Sequence, residues 1–261
     1  MPELPEVEIF RQYFTETSLN QSILEVEINH PKVVRGHEEI LKKLAGDQFT
    51  GAKRWGKTMF IETGHNHILF MHFGMTGNLN YYHSTVESPK YARVIFSFES
   101  GFKLAYVSKR MFGRLGVTKS IADYAKEKSL GKDALEITES EFTDALAGKN
   151  KNIKAALLDQ QVTAGVGNWI ADEILYQSGI YPTTRTRDLN RQQLITTYKK
   201  MQEVVKSAIA IDAVREELPA HYITRYGRKT SISCPGCSNT IERTEVGGRG
   251  TYACGKCQQI Y

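Results

Sequence analysis

The four cysteines of this chain, Cys234, Cys237, Cys254 and Cys257, are spaced C-x2-C, sixteen residues, C-x2-C. Two residues between ligands let both thiolates of a pair face one metal, and this double-knuckle spacing is that of a zinc site with four cysteine ligands. With no further cysteine and no open ligand position, the site reads as one closed, structural Zn2+. A second reactive pattern is the opening MPELPEVE. An initiator methionine is normally removed before a residue as small as proline, which predicts a mature chain starting with the secondary amine of Pro2. A terminal amine titrates near about 7.7–8.0 against about 10.4 for lysine, so at neutral pH it is unprotonated roughly a hundredfold more often. Attack of such an amine on C1′ of a sugar gives an iminium that keeps its positive charge and serves as an electron sink for later eliminations. That chemistry needs a general acid within reach. The adjacent Glu3 is the obvious candidate, and Glu6 lies one helical turn further on.

These groups need elements to hold them. Pro5 suits a first helical turn, and Val7, Phe10 and Phe14 give the apolar stripe of an N-terminal helix. Short β-prone runs follow: SILEVEI, TMFIET, HILFMHF, ARVIFSF and FKLAYV, punctuated by glycines at strand-length intervals as in a sandwich or barrel. Residues 121–148 read as two short acidic helical pieces linking domains. The period then becomes 3.6, with helices over NIKAALLDQ, NWIADEILYQSG and DLNRQQLITTYKKMQEVVKSAIAI, the last opened by Asp188 as an N-cap. Between the first two of these, Gly165 and Gly167 mark a tight turn in which Asn168 can cap the following helix. The junction is either a packing turn or a cradle for a phosphate. The stretch between the cysteine pairs reads as a β-hairpin turning at Gly247-Gly248, with Arg249 beside the turn. Arg225, Arg228, Lys229, Arg243, Arg249 and Lys256 outnumber the acids Glu242 and Glu245 in this tail, as in a zinc hairpin that grips nucleic acid.

A net charge of +5 tilts the same way, toward an anionic partner. The acidic opening is unlike a secretion signal, and no run approaches the 18 apolar residues of a membrane span. With every cysteine confined to the tail, the chain is expected to be a soluble protein of a reducing compartment.

Several motifs together resemble the formamidopyrimidine-DNA glycosylase family, which includes endonuclease VIII, over nearly the whole length. MPELPEVE looks like its N-terminus. RWGKTMF resembles the segment with a strand lysine, here Lys57, that contacts DNA phosphate near the reacting nucleotide. LFMHFGMTG resembles the stretch supplying a phosphate-contacting His72 and the intercalating Met75. KRMFGR resembles the loop whose Arg110 and Phe112, with Met75, fill the gap left by an extruded nucleotide. NIKAALLDQQVTAGVGN looks like the helix-two-turn-helix element, with Asn168 gripping phosphate and Lys154 as a further DNA contact. YGRK leads into the zinc hairpin, whose Arg249 is the matching DNA contact.

The resemblance implies an α+β multidomain protein. Its parts are an N-terminal β-sandwich domain with an N-terminal helix (1–120), a helical linker (121–148), a helix-two-turn-helix domain (149–225) and a zinc finger (226–261). It implies a bifunctional glycosylase and abasic-site lyase of base-excision repair, with Pro2, Glu3, Glu6 and Lys57 in the catalytic group. The expected partner is double-stranded DNA with damaged bases or abasic sites, met by a cytoplasmic, nucleoid-associated monomer. Pyrimidine-lesion specificity as in endonuclease VIII and a non-catalytic damage-binding protein are the alternatives. The sequence departs from the family pattern between the last long helix and YGRK. It carries only DAVREELPAHYITR where the family has a longer, glycine-rich segment that closes over an extruded 8-oxoguanine. Formamidopyrimidine or abasic DNA is therefore expected to be processed better than 8-oxoguanine.

Overall fold

A computed structural model describes residues 1–227, 229 and 232–261, and the chain divides into two units. Residues 6–128 with Met1–Pro2 form the first; Glu3–Pro5 with residues 129–261 form the second. Arg228, counted above among the basic residues of the tail, lies outside the described residues.

The first unit is built from period-2 strands, whose alternating side chains give each sheet one apolar face. One sheet has the order β1 (Ile23–Ile28), β6 (Ala92–Phe98), β7 (Phe102–Ser108), β5 (Gly77–His83), and the other β2 (Phe49–Trp55), β3 (Thr58–Thr63), β4 (Ile68–His72), β8 (Arg114–Thr118). Neighbouring strands in both sheets pair antiparallel. Val26, Val94, Phe96, Leu104 and Tyr106 of the first sheet share one core with Phe49, Met59, Ile61, Leu69, Met71 and Leu115 of the second, which makes the expected sandwich. Helix α1 (Leu4–Ser18) adds Val7 and Phe14 to this core, and α2 (Glu38–Lys42) adds Leu41. On β4, Leu69 and Met71 face the core while Phe70 and His72 take the other face, where Phe70 packs on Tyr124 of α3 (Ile121–Glu127).

The second unit packs α4 (Glu139–Leu146), α5 (Ile153–Leu158), α6 (Asn168–Gln177) and α7 (Arg191–Ala210) around Phe142, Leu157, Ile170, Ile174, Met201 and Val205. Leu4 also belongs to this core. The stretch read as a linker divides: α3 lies in the first unit and α4 in the second, each with buried aromatic anchors, Tyr124 and Phe142. Helix α7 is opened by Asn190 and not by Asp188. The Asn190 side chain accepts from Gln193 N while the Gln193 side chain reaches back to the Asn190 N–H, a reciprocal box that Asp188, at the end of a preceding 3-10 turn, has no means to form. Strands β9 (Glu242–Val246) and β10 (Arg249–Ala253) form the expected hairpin across Gly247-Gly248. Among the described residues, no helix is long and apolar enough to cross a membrane.

Candidate active site and nucleic-acid interface

In the first unit, the residues singled out by the sequence meet at one end of the β2-β3-β4-β8 sheet. Lys57 is not on a strand. It sits with Gly56 in the two-residue turn between β2 and β3, because a hairpin reversal is needed where Trp55 pairs with Thr58. Register then aligns Thr58, His72 and Arg114 across three neighbouring strands. Burial, with the charges of Lys57 and Arg114 adding to it, lowers the His72 pKa to about 4, so the imidazole is neutral at physiological pH. Its Nδ1 accepts from Gly74 N at 3.2 Å, which assigns the proton to Nε2. His72 thus offers an acceptor a hydrogen bond without a charge.

Beyond His72, the β4–β5 loop presents Met75 and the β7–β8 loop presents Arg110 and Phe112. All three are exposed, Met75 and Phe112 at 41% and 54%, unusual for large apolar side chains. The tips are held from below. Arg110 N donates to Thr76 Oγ1 at 3.2 Å, and the loops cross so closely at Gly74 that any Cβ there would strike the backbone of Phe112 and Gly113. Gly74 also has φ +59, so glycine is required twice over. The Arg110 guanidinium lies 5.0 Å from the Phe112 ring centroid.

The second unit holds charges of a different kind. The Glu3 side chain is 3% exposed, and its carboxylate accepts from Trp169 N at 3.1 Å and Ile170 N at 3.3 Å. These are orphan donors of the first turn of α6, so Glu3 caps that helix from a position remote in sequence. This corrects two expectations. The turn at Gly165 and Gly167 is not an open phosphate cradle, since a carboxylate of the chain already occupies its helix end. Asn168 is not the cap either: the N-cap residue is Gly167, while Asn168 Nδ2 donates to Gly250 O at 3.1 Å. A Cβ on Gly167 would overlap the Glu3 carboxyl group, so the glycine is read by the acid. Pro2, the residue before Glu3, is half-buried, as is Glu6 in the first turn of α1.

Lys154 is also corrected. It is fully buried, its ammonium 2.6 Å from Asp172 Oδ1 and donating to Thr251 Oγ1 at 2.6 Å and Gly250 O at 3.1 Å, so it has no face for a DNA phosphate. It ties α5 and α6 to β10, as Asn168 does through the same Gly250 carbonyl. Asp172, whose carboxylate also accepts from Tyr252 N at 3.3 Å, was not singled out from sequence, although it lies four positions after Asn168 on the same face of α6. Arg249, the first residue of β10, is exposed.

The four cysteine Sγ atoms lie within 4.8 Å of one another, with Cys234–Cys257 at 3.7 Å and Cys237–Cys254 at 3.4 Å. Tetrahedral Zn–S bonds of about 2.3 Å place sulfurs roughly 3.8 Å apart. The donor set fits one zinc ion, closed by Ile223, Ile241 and Tyr252 packed around it, with the Tyr176 hydroxyl 3.2 Å from Cys234 Sγ.

Comparison with known proteins agrees with this layout. The Formamidopyrimidine-DNA glycosylase N-terminal domain matches residues 1–115, the Formamidopyrimidine-DNA glycosylase H2TH domain residues 130–218, and the zinc finger found in FPG and IleRS residues 232–260. The formamidopyrimidine-DNA glycosylase of Bacillus subtilis is 32% identical, covering 99% of each chain. The chain belongs to the formamidopyrimidine-DNA glycosylase family. Its fold is that family's, and its activity class is that of a DNA glycosylase of base-excision repair. The Lactococcus lactis formamidopyrimidine-DNA glycosylase, solved non-covalently bound to DNA containing an abasic site, superposes with a TM-score of 0.91 at 29% identity over 99% of this chain and 100% of that one. The same bacterium's glycosylase bound to DNA containing an N7-benzyl-Fapy-dG gives 0.88 at 29% identity, with the same coverage. The cysteine cluster holds the structural zinc of the matched zinc-finger domain.

Proposed function

We propose that this glycosylase is bifunctional, excising oxidised bases and then nicking the strand through an iminium formed on Pro2. The observation that carries the reading is the buried Glu3 carboxylate, fixed by two backbone N–H groups immediately after Pro2. A solvated helix start needs no such anchoring, whereas an amine nucleophile needs an acid-base partner at a fixed place beside it.

With Met1 removed, the Pro2 nitrogen attacks C1′ as the C1′–base bond breaks, its N–H proton leaving with the base; the C1′–O4′ bond then opens as Glu3 gives a proton to O4′, and the nitrogen lone pair forms the N=C1′ iminium. The resulting iminium acidifies C2′–H; loss of that proton expels the 3′ phosphate, and loss of the C4′ proton expels the 5′ phosphate. Glu6, in the next helical turn, assists this proton traffic. In the first unit Lys57 and the Nε2–H of His72 hold phosphate, and in the second Asn168 and Arg249 each offer a phosphate contact. Met75 and Phe112 fill the vacated stack and Arg110 faces the orphaned base, recovering part of the few kcal/mol that extrusion costs.

Formamidopyrimidine and abasic DNA are the preferred substrates on this reading. The segment between α7 and the zinc finger is packed down, with Leu218, Tyr222 and Ile223 buried and Thr224 held at both N and Oγ1 by Glu173, which supports a chain without a closing arm over the base. The Lactococcus complex with a Fapy-dG derivative supports the same substrate class.

Borohydride trapping tests the chemistry. Mature protein is expected to form a covalent adduct with abasic DNA in the presence of reductant, and Pro2→Gly or retained Met1 to reduce it; no adduct with mature protein overturns the nucleophile. A side-by-side excision panel tests the lesion, and a clear preference for 8-oxoguanine overturns that assignment.

A further inference from the structure

Helix α6 carries a polar stripe that leads from its first turn to the metal site. Asn168, Asp172 and Tyr176 are spaced four apart, so they share one face of the helix. Asn168 donates to Gly250 O and Asp172 accepts from Tyr252 N, both on β10. Tyr176 has no part in the proposed chemistry. Its half-buried ring packs against the cluster of Ile223, Ile241, Cys234 and Cys254, and its hydroxyl lies 3.2 Å from Cys234 Sγ.

Chemistry fixes the direction of that bond. A cysteine bound to zinc is a thiolate with no proton to give, so Tyr176 donates and Cys234 accepts. One Zn2+ with four thiolates carries two net negative charges, and Ile223 and Ile241 surround it with apolar groups, so each hydrogen bond to sulfur offsets charge that its surroundings solvate poorly. The backbone treats the two knuckles alike. Cys234 accepts from the N–H groups of Gly236 and Cys237, and Cys254 from those of Lys256 and Cys257. Tyr176 breaks this symmetry, since among the described residues no hydroxyl donates to Cys254. Room for the phenol comes from Gly236, where a Cβ would lie 2.9 Å from the Tyr176 oxygen.

We propose that Tyr176 is a zinc-retaining residue, whose hydroxyl holds the Cys234 thiolate from α6 and raises the affinity of the finger for its metal. Hydrogen bonds to metal ligands from residues behind them are worth about 10–100-fold in metal affinity. The phenol also makes α6 part of the metal site, so the finger is joined to this helix at the metal as well as along β10.

The test uses full-length protein and Tyr176→Phe, which keeps the ring and removes only the hydroxyl. Zinc affinity is read at equilibrium in reducing buffer, by competition with a chelator of known affinity. The variant is expected to bind zinc about 10–100-fold more weakly. Cobalt(II) in place of zinc gives a second readout. Its charge-transfer absorption moves an electron from sulfur to metal, and a hydrogen bond holds the sulfur electrons more tightly. Tyr176→Phe is therefore expected to move that band to longer wavelength, while the d–d bands of the tetrahedral site stay in place. Tyr181→Phe is the control. The Tyr181 hydroxyl donates to Glu242 Oε2 at 3.2 Å, on the same finger but not at a sulfur, and its loss is expected to move neither reading. Unchanged zinc affinity in Tyr176→Phe overturns the proposal. Weaker binding with an unmoved charge-transfer band also overturns it, because the loss then comes from packing, as does an equal loss in Tyr181→Phe. Wild-type protein that gives no tetrahedral thiolate spectrum with cobalt overturns the zinc site itself, and the proposal with it.

Discussion

The two units hold their functional groups in opposite ways. In the first, Met75, Arg110 and Phe112 stand exposed on loop tips, and what fixes them is backbone: the crossing at Gly74 and the Arg110 N–Thr76 Oγ1 bond. In the second, charged side chains are buried and themselves fix the backbone. Glu3 seats the start of α6, Lys154 and Asp172 join that helix to β10, and Glu173 holds Thr224. Substitution at the tips should therefore alter DNA binding and leave the fold intact, whereas substitution in the buried network should alter the fold first.

Metal removal tests the second half of that contrast most severely. Structural zinc contributes about 10–16 kcal/mol of apparent folding free energy in isolated fingers, so a strong chelator, or Cys237→Ser, should melt the β9–β10 hairpin and abolish DNA binding, read by zinc content, circular dichroism and anisotropy. Next comes Lys154→Ala, which strands the buried Asp172 carboxylate and should cost about 3–5 kcal/mol in urea unfolding. Lys154→Met with Asp172→Leu should recover most of this, and an equally unstable double variant would mean that the ion pair is not the cause.

Glu3→Gln separates chemistry from architecture within the buried network. Its amide oxygen still accepts from one of the two α6 N–H groups while its NH2 faces the other, so stability should fall by only about 1 kcal/mol, while base excision should fall about 10²–10⁴-fold with loss of the acid. Glu3→Ala should in addition destabilise by about 1–3 kcal/mol, the cost of stranding those N–H groups.

His72 gives a pH signature. Its pKa is near 4 in the folded chain and about 6.5 when unfolded, so the unfolded state binds the extra proton between those values and stability declines as pH falls through that window. The integrated loss approaches about 3 kcal/mol. His72→Gln should flatten this limb, and the same variant should leave the salt slope of DNA binding unchanged because the imidazole is neutral. Smallest in stability is Met75→Ala, expected within about 0.5 kcal/mol of wild type, while binding to a duplex carrying tetrahydrofuran, a stable abasic analogue, weakens measurably. A large loss of stability there would erase the contrast between the units.

The same contrast explains what could be read in advance. The strands were legible because one buried face imposes period 2, and the cysteines because a four-thiolate site constrains spacing. The exposed loop residues Met75, Arg110 and Phe112 were legible through motifs on two short loops. The buried network was not, because Glu3 and Trp169 are 166 positions apart and nothing local signals their meeting. Other clues were present but ambiguous. Lys154 shares a helix face with Leu157 and Leu158, which hinted at burial, and N-x-x-Q at Asn190 marks a better helix start than Asp188. Lys57 moved from strand to turn by a shift of one residue, within the usual uncertainty of element ends.

The crossing at Gly74 has a consequence for how such a protein changes over generations. Because the loops are locked beneath their tips by backbone, positions 75, 110 and 112 can be exchanged in combination without re-solving the fold. On the proposed wedge role, drift at the three tips can retune which distorted duplex is accepted, while any side chain at position 74 closes that route at once. Adaptability is thus concentrated in three exposed residues by the rigidity of one glycine.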